Sequence, residues 1–230
     1  MAPYGYGAWG IEPGDLYQTD VTLVLDMDEC LVHSFEGQNK AYTDLKLDSA
    51  EHMSLRPRLY KVEVGDIRTR GAGGSSIMWG IRRPYLTEFL RKARRRHRKL
   101  VIWSAGVKTY VNAVVAEMFK DVDPPDLVVA KEDYYKEAGC DCKPLTWLSS
   151  RYPELGPLNK ILMVDDIKEN FSQNPDNGIV IPAYRPDLTV GSLYENDVAL
   201  LQLDKWLSQD HVLTSHNVRH LNKQGIFRYY

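Results

Sequence analysis

The sequence predicts an α/β fold, a doubly wound parallel sheet with a small β-hairpin insertion and no large cap domain. Three observations support this prediction. Five short apolar runs are continuous rather than alternating, as strands of a sheet covered on both faces require. Helical patterns lie between the runs, and this βαβα order favours parallel strands with right-handed crossovers. The 230 residues, 43% of them hydrophobic, suffice for one such domain.

The predicted strands cover residues 21–25, 100–103, 127–130, 160–164 and 178–182. Pro84 predicts the start of a helix, because proline is favoured in the first helical turn. A second helical pattern, over residues 107–120, places Val111, Val114 and Val115 on one face. Shorter helical patterns cover residues 143–152 and 197–207.

Two stretches interrupt this alternation. Residues 35–82 are too long for a simple connection, and they contain alternating segments at 59–64 and 77–81 around a turn-rich stretch. We therefore expect a β-hairpin insertion there. Residues 1–18, rich in Gly, Tyr and Pro, predict an extended N-terminal arm, and residues 210–230 predict a polar, basic C-terminal tail. The domain itself is expected to span residues 19–209.

Composition excludes several classes of protein. The apolar and charged fractions are those of a globular protein, and a net charge of -2 gives no general reason to bind nucleic acid. The basic run at 91–99 lies on a predicted helix, which favours a solvated basic face over a nucleic-acid site. No run of 18 apolar residues or signal-peptide pattern occurs. We expect a soluble intracellular protein, nuclear or cytoplasmic, with no membrane partner.

The cysteines agree with a reducing compartment. Cys30, Cys140 and Cys142 are an odd number without paired zinc-ligand spacing. Cys140 and Cys142 lie too close in sequence for an ordinary structural bridge. We therefore expect all three to be free thiols.

Polar side chains follow several of the predicted strands. Asp26 and Asp28 follow the first strand, Ser104 follows the second, and the pair Asp165 and Asp166 follows the fourth. Lys143 precedes a predicted helix between them. Because ligands bind outside the carboxyl ends of parallel strands, we expect one site containing four carboxylates, a hydroxyl and an amine.

The two carboxylates after the first strand predict covalent phosphoryl transfer. Asp26 and Asp28 are two residues apart, so in extended geometry their side chains point the same way. A divalent cation would offset the repulsion between them and leave a nucleophile ionised, and Mg²⁺ suits carboxylate, water and phosphate oxygens. Asp26 could then attack phosphorus, while Asp28 protonates the leaving oxygen and later activates water. Asp165 and Asp166 would complete the metal site.

Two further residues are candidates for binding the substrate. A transferring phosphoryl group carries negative oxygens that positioned donors must balance, and Ser104 and Lys143 could donate to them. Each element alone is weak evidence, since a serine after a strand is usually a cap or turn residue. Their order along the chain and their shared sheet edge favour one catalytic site.

The segment VLDMDECLVHS resembles the first motif of the small C-terminal-domain phosphatases, also called NLI-interacting-factor-like phosphatases, of the haloacid dehalogenase superfamily. The similarity covers roughly residues 20–208 and continues through IRRPYLTEFL, VIWSAGVKTYVNAVV, CKPLTWL and KILMVDDIKENFSQNPDNGIVI. The first and fourth motifs are the specific ones.

This resemblance implies a haloacid dehalogenase-like fold and assigns roles to the candidate residues. Asp26 would be the nucleophile and Asp28 the acid/base, while Ser104 and Lys143 hold the phosphate. Mg²⁺ would be bound by Asp26, the Asp28 backbone carbonyl and the pair Asp165 and Asp166. The implied substrate is phosphoserine or phosphothreonine in protein, including Ser-Pro peptides such as the RNA polymerase II tail.

Three residues depart from the family pattern. Cys30 stands where Thr is usual, Ser104 replaces the commoner Thr, and Asp166 replaces a frequent Asn. Ser104 keeps the hydroxyl and Asp166 keeps an oxygen ligand. Cys30 follows the nucleophile closely, so we expect oxidant-sensitive activity if its thiol is accessible.

The insertion at 35–82 and the link at 131–142 are too small for a cap, which predicts an open site that admits a phosphorylated peptide. Two alternatives remain open. One is a noncatalytic binding module of the same fold, although the presence of Asp28 and Lys143 argues against it. The other is a polynucleotide-end or small-molecule phosphatase, which would differ only in its recognition surface.

Overall fold

The computed structural model describes residues 19–35, 39–65, 75–140 and 142–228. The strands are β1 (Thr19–Leu25), β2 (Val32–Phe35), β3 (Leu59–Gly65), β4 (Ser75–Arg82), β5 (His97–Trp103), β6 (Leu127–Val129), β7 (Ile161–Asp165) and β8 (Gly178–Val180). The α-helices are α1 (Asn39–Asp44), α2 (Leu86–Arg96), α3 (Lys108–Met118), α4 (Lys131–Ala138), α5 (Leu145–Arg151), α6 (Val190–Leu193), α7 (Ala199–Leu207) and α8 (Asp210–Leu213).

The central sheet has the strand order β6-β5-β1-β7-β8, and every neighbouring pair is parallel. Strand β1 lies in the middle because its residues are apolar on both sides. Leu23 and Leu25 belong to the core cluster that includes residues of α2, α3 and α7. Val24 faces the other cluster, with residues of α4 and α5. The predicted doubly wound parallel sheet is therefore confirmed, and each predicted strand has a counterpart.

The insertion contains the expected hairpin and more. Strands β3 and β4 pair antiparallel, with Leu59 opposite Ile81, and the hairpin tip at 66–74 lies outside the described residues. Strand β2 was not predicted, yet it pairs with the other edge of β4 and gives the order β2-β4-β3. Helix α1 and a 3-10 helix (Ala50–His52) surround a small core that includes Phe35 and Trp79. These elements are too short for a periodic sequence signal.

Two other regions differ from the sequence prediction. Helix α4 forms within the link at 131–142, where no helix was predicted. After residue 209 the chain is partly packed, since Val212, Val218 and Ile226 belong to the main core cluster. The predicted polar tail therefore contains buried apolar residues at wide spacing, which a composition argument overlooks. The predicted arm at 1–18 lies outside the described residues, and the division into arm, domain and tail stays a proposal.

The basic run at 91–99 is largely paired. Lys92 and Arg96 both contact Asp204 on α7, while Arg94 contacts Asp126. Much of its positive charge is therefore engaged in ion pairs with neighbouring elements, and the predicted solvated basic face is only partly exposed, since the Arg96 side chain is 1% exposed. No helix among the described residues combines the length and the apolar character that crossing a bilayer would need.

The expectation that Cys140 and Cys142 stay unpaired was wrong. The two cysteines form a disulfide, with their Cα atoms 5.2 Å apart. This separation lies within the usual range for a bridge. Helix α4 ends at Ala138, Gly139 follows with a φ of 69°, and the two cysteines lie just beyond this helix end. The bridge removes one of the arguments for a reducing compartment.

Candidate active site

The candidate residues meet at the carboxyl edge of the central sheet. Asp26 follows β1 directly, Ser104 follows β5, and Asp165 is the last residue of β7. Lys143 immediately precedes Pro144, the residue before α5. Its Nζ donates hydrogen bonds to Asp26 Oδ1 and, at 2.8 Å, to Asp165 Oδ2. The parallel topology therefore assembles side chains that are distant in sequence.

Lys143 is buried between two carboxylates. Its side chain is only 1% exposed, and its backbone N–H donates to the Asn170 carbonyl at 2.7 Å. Burial alone would lower the pKa of Lys143, but the Asp26 and Asp165 carboxylates outweigh burial and raise it. Lys143 is therefore a permanently charged donor whose ammonium group is fixed in the site.

The surroundings of Asp26 disfavour the ionised form of its side chain. Burial raises its pKa to about 8, Lys143 counteracts this effect, and the nearby Asp165 carboxylate adds to it. One lysine is thus insufficient to balance the local negative charge. A further cation next to Asp26 would favour the ionised form, because an opposite charge nearby lowers the pKa of a carboxyl group.

The carboxylates could bind such a cation. Asp26, Asp165 and Asp166 each offer an oxygen, and these oxygens lie within 4.8 Å of one another. An all-oxygen set of this charge suits Mg²⁺. The residues present therefore fit the metal ion that the sequence predicts. The Asp28 carboxylate binds other partners, so any metal contact from this residue would come from its backbone carbonyl.

Asn170 fixes Asp165 and was missed from the sequence. Its Nδ2 donates to both carboxylate oxygens, at 2.8 and 2.9 Å, and the Ile167 N–H donates to Oδ1 at 2.9 Å. Partners of this kind orient metal-binding carboxylates. Its position four residues after Asp166 was the only available signal, and it is not a distinctive one.

Asp28 is held by two hydroxyl groups. Ser104 Oγ donates to Asp28 Oδ2 at 3.2 Å and accepts the Gly106 N–H at 3.0 Å, while the Tyr110 hydroxyl donates to Asp28 Oδ1. Burial raises the pKa of Asp28, and the hydrogen bonds from Tyr110 and Ser104 partly offset this. A raised pKa suits a carboxyl group that must donate a proton.

Tyr110 connects Asp28 to the insertion. Its hydroxyl lies 2.7 Å from Ser34 Oγ, which lies 2.6 Å from the Tyr60 hydroxyl. Ser34 and Tyr60 come from β2 and β3. Sequence reasoning missed this chain because Tyr110 fits the apolar face of a helix, and the partners come from another sheet. The insertion thus supports the candidate acid/base as well as bordering the site.

Arg83 ties the loops around the site together. This fully buried guanidinium donates to the Cys30 carbonyl at 2.9 Å and to the Pro182 carbonyl at 2.8 Å. It also forms an ion pair with Asp197 at 2.8 Å. The loop after β1 and the loop after β8 are therefore held at a fixed separation.

The condition for oxidant sensitivity at Cys30 is not met. Its side chain is fully buried. Burial, reinforced by the Asp26 carboxylate, raises the pKa of the thiol well above its usual range. Because the thiolate is the reactive form, Cys30 is expected to be inert toward oxidants.

Comparisons with known proteins agree with this arrangement. A relative from Arabidopsis thaliana, ubiquitin-like domain-containing CTD phosphatase, is 32% identical over 191 residues, which cover 71% of this chain and 56% of the relative. Ubiquitin-like domain-containing CTD phosphatase 1 from Xenopus tropicalis is 31% identical over 152 residues, covering 63% of this chain and 45% of the relative. The chain spans about half the length of these curated relatives.

Solved structures support the fold. A structure of Fcp1, described as an essential RNA polymerase II CTD phosphatase, has a TM-score of 0.63 at 17% identity and covers 81% of this chain and 61% of that one. Fission yeast Fcp1 bound to beryllium fluoride has a TM-score of 0.56 at 19% identity, with coverage of 81% and 49%. The profile of NLI interacting factor-like phosphatases matches residues 21–219. This match spans most of the sequence, and the chain therefore belongs to the NLI interacting factor-like phosphatase family.

Proposed function

We propose that this chain is a Mg²⁺-dependent phosphatase that removes phosphoryl groups from phosphoserine or phosphothreonine in proteins through an aspartyl-phosphate on Asp26. One observation carries the proposal most directly. The Asp26 carboxylate contacts the buried Lys143 ammonium, and Asp28, fixed by Ser104 and Tyr110, lies nearby. These contacts support the proposal, because they bring candidates for the nucleophile, the proton carrier and the phosphate-binding cation to one sheet edge.

Each residue has a role in the proposed reaction. Asp26 attacks phosphorus and the bond from phosphorus to the substrate oxygen breaks, while Asp28 gives that oxygen a proton. Asp28 then takes a proton from the water that attacks the phosphoryl group, and Asp26 is released as a carboxylate. Lys143 and Ser104 donate to the phosphoryl oxygens.

Asp26, Asp165 and Asp166, with the Asp28 backbone carbonyl, would hold Mg²⁺. The ion, when bound, supplies positive charge that favours ionised Asp26 and balances the phosphoryl oxygens. Asn170 keeps Asp165 oriented for this purpose.

The proposed substrate is a phosphorylated peptide segment rather than a small metabolite. The relatives carry names that describe them as CTD phosphatases. The insertion is a three-stranded sheet with short helices. In the described residues, its contact with Asp28 runs through the hydrogen bond between Ser34 and Tyr110. We therefore extend the proposal to Ser-Pro peptides resembling the RNA polymerase II C-terminal domain, and to a nuclear or cytoplasmic location.

A substrate panel tests this proposal. Turnover with Mg²⁺ would be measured for Ser-Pro phosphopeptides, sugar phosphates and a 5′-phosphorylated DNA end, with Asp26→Asn as the inactive control. The proposal expects the highest kcat/KM for phosphopeptides and loss of turnover when Mg²⁺ is chelated. Preference for the DNA end or a sugar phosphate would instead support the alternative phosphatase class. Phosphopeptide binding without turnover would support a noncatalytic module.

Removing the Tyr110 hydroxyl is expected to change the pH profile. Its hydrogen bond stabilises the Asp28 carboxylate, so Tyr110→Phe should raise the pKa of Asp28. Protonated Asp28 would then persist to higher pH. The basic limb of the plot of kcat/KM against pH should therefore move to higher pH by about 0.5 to 1 unit. A shift of this size corresponds to the free energy of one modest hydrogen bond.

Tyr60→Phe is the matched control, because Tyr60 contacts Ser34 but not Asp28. It should move the limb less than Tyr110→Phe does. An unmoved or downward-shifted limb in Tyr110→Phe would contradict the role given to Tyr110.

A further inference from the structure

An arginine, Arg185, lies beside the candidate site on the solvent side. Arg185, five residues after β8, donates through Nε to the Glu29 carboxylate. Its Nη2 lies 3.5 Å from Asp166 Oδ2. The Arg185 side chain is 59% exposed, whereas the Asp166 side chain is 3% exposed. The guanidinium therefore covers a buried carboxylate of the site and still faces water.

The backbone fixes this position independently of the ion pairs. The Tyr184 N–H, next to Arg185, donates to the Glu29 carbonyl at 2.6 Å. Glu29 adopts a left-handed conformation, with a φ of 59°, immediately after Asp28. Such conformations are unfavourable for residues other than glycine and persist where surrounding contacts hold them. The loop carrying Arg185 is thus attached to the loop carrying the acid/base.

The ion pairs alone give little reason for this arrangement. An exposed pair such as that between Arg185 and Glu29 contributes little to stability. Guanidinium has five N–H donors in a planar fork that matches carboxylate and phosphate groups. Arg185 Nη1 has no protein partner within the described part of the chain. The side chain keeps donors available for an anion that arrives from solvent.

The distance from Asp26 to the Arg185 guanidinium can be compared with the length of an extended peptide. The ligand oxygens of Asp26 and Asp166 lie within 4.8 Å of each other, and Arg185 Nη2 lies 3.5 Å from an Asp166 oxygen. An extended chain advances about 3.4 Å per residue. The guanidinium is therefore about two to three residues away from a phosphoserine presented to Asp26.

We propose that Arg185 is a specificity-determining residue that binds an anionic group, a carboxylate or a second phosphate, two or three positions from the phosphoserine being hydrolysed. This inference rests on the proposed phosphopeptide phosphatase function. Arg185 forms the anion contact only with flanking residues of the substrate and takes no part in bond making. Its contribution therefore appears in KM rather than in kcat.

Matched peptides test this inference. One phosphoserine peptide carries a neutral flank, a second carries Glu two or three residues away, and a third carries a second phosphoserine there. The wild-type protein should favour both anionic peptides over the neutral one by about three- to tenfold in kcat/KM, mostly through KM. In Arg185→Gln the ratio should fall to about one, and in Arg185→Glu it should fall below one.

Two further variants separate recognition from a merely structural role. Glu29→Gln removes the competing carboxylate and should increase the preference for anionic peptides. Arg95→Gln removes an equal charge from the exposed end of α2, at the opposite edge of the sheet, and should leave the ratio unchanged. A structural role would predict that Arg185→Gln lowers kcat equally for all three peptides and leaves the ratio intact.

The two proposals fail in different ways. Absence of wild-type turnover on every phosphopeptide would overturn the proposed function and this inference with it. Turnover without any preference for anionic flanks would overturn only the role of Arg185. So would a preference that survives Arg185→Gln. A larger effect of the second phosphate than of Glu would identify phosphate as the favoured group.

Discussion

Asp28→Asn is expected to lower kcat on a phosphoserine peptide by about 10²- to 10⁴-fold, the usual contribution of a general acid or base. Asparagine keeps the size of the side chain, its amide oxygen can still accept the hydrogen bond from Tyr110, and its amide N–H can donate to Ser104 Oγ. It cannot carry a proton between the leaving oxygen and water. The loss therefore reports proton transfer rather than a change in folding.

Two substrates with different leaving groups distinguish the two steps in which Asp28 takes part, formation and hydrolysis of the phosphoenzyme. An aryl phosphate leaves without protonation, so Asp28→Asn should still form the phosphoenzyme from this substrate at a rate near that of the wild type. The phosphoenzyme should then accumulate, because water is no longer activated. Rapid-quench measurements with both substrates would show this difference.

Asp20→Asn is a suitable control for Asp28→Asn. Asp20 lies near the amino end of β1, at the opposite edge of the sheet from Asp28, and its side chain is 61% exposed beside Lys160. Its substitution should leave both steps unchanged. If Asp28→Asn slowed neither step by more than this control, the acid/base assignment would be wrong.

Lys143→Met is expected to destabilise the protein by roughly 3 to 5 kcal/mol, the usual cost of breaking a buried ion pair on one side. The two carboxylates that Lys143 contacts have side chains 8% and 0% exposed, for Asp26 and Asp165 respectively. Without the ammonium they would remain close together and buried. Phosphatase activity should be lost as well, because a donor to the phosphoryl oxygens is removed.

The stability loss in Lys143→Met should depend on pH. Losing the ammonium raises the folded-state pKa of Asp26 further, because Lys143 lowers the pKa of Asp26 in the native protein. A raised folded-state pKa of an acid destabilises the fold above the unfolded-state pKa, near 4. The folded-state pKa of Asp26 is already about 8 in the wild type, so Asp26 contributes equally to both proteins below that pH. The difference in unfolding free energy should therefore stay constant below about pH 8 and grow as the pH rises above it.

Urea unfolding at several pH values measures this effect. Lys40→Met is the control, since Lys40 forms an exposed i,i+4 pair with Asp44 on α1 and is 86% exposed. Its substitution should cost about 0.5 kcal/mol or less. If both variants lost the same free energy of unfolding at every pH, Lys143 would not offset the negative charge of the carboxylates.

Sequence patterns located the central sheet because continuous apolar strands reflect burial on both faces. Leu23, Val24 and Leu25 show this directly, since they pack into two different core clusters. Helix α4 and strand β2 were missed because short elements leave little periodicity. Their formation depends on pairing and packing with distant parts of the chain.

The six candidate residues could be predicted because each follows a strand or precedes a helix at one sheet edge. Tyr110, Asn170 and Arg185 could not, since a helix-face tyrosine, a loop asparagine and a surface arginine have ordinary structural explanations. Their importance comes from which atoms they contact. The disulfide was misjudged because close spacing in sequence does not exclude a bridge, and the Cα atoms of Cys140 and Cys142 lie 5.2 Å apart, within the usual range.

Direct detection of phosphate on Asp26 tests the central claim. The protein would be mixed with Mg²⁺ and an aryl phosphate, quenched in acid within milliseconds and digested for mass spectrometry. We predict a hydroxylamine-sensitive phosphoryl adduct on Asp26, enriched in Asp28→Asn and absent in Asp26→Asn. Turnover that survives in Asp26→Asn, or a wild-type reaction without any adduct on this residue, would contradict the mechanism.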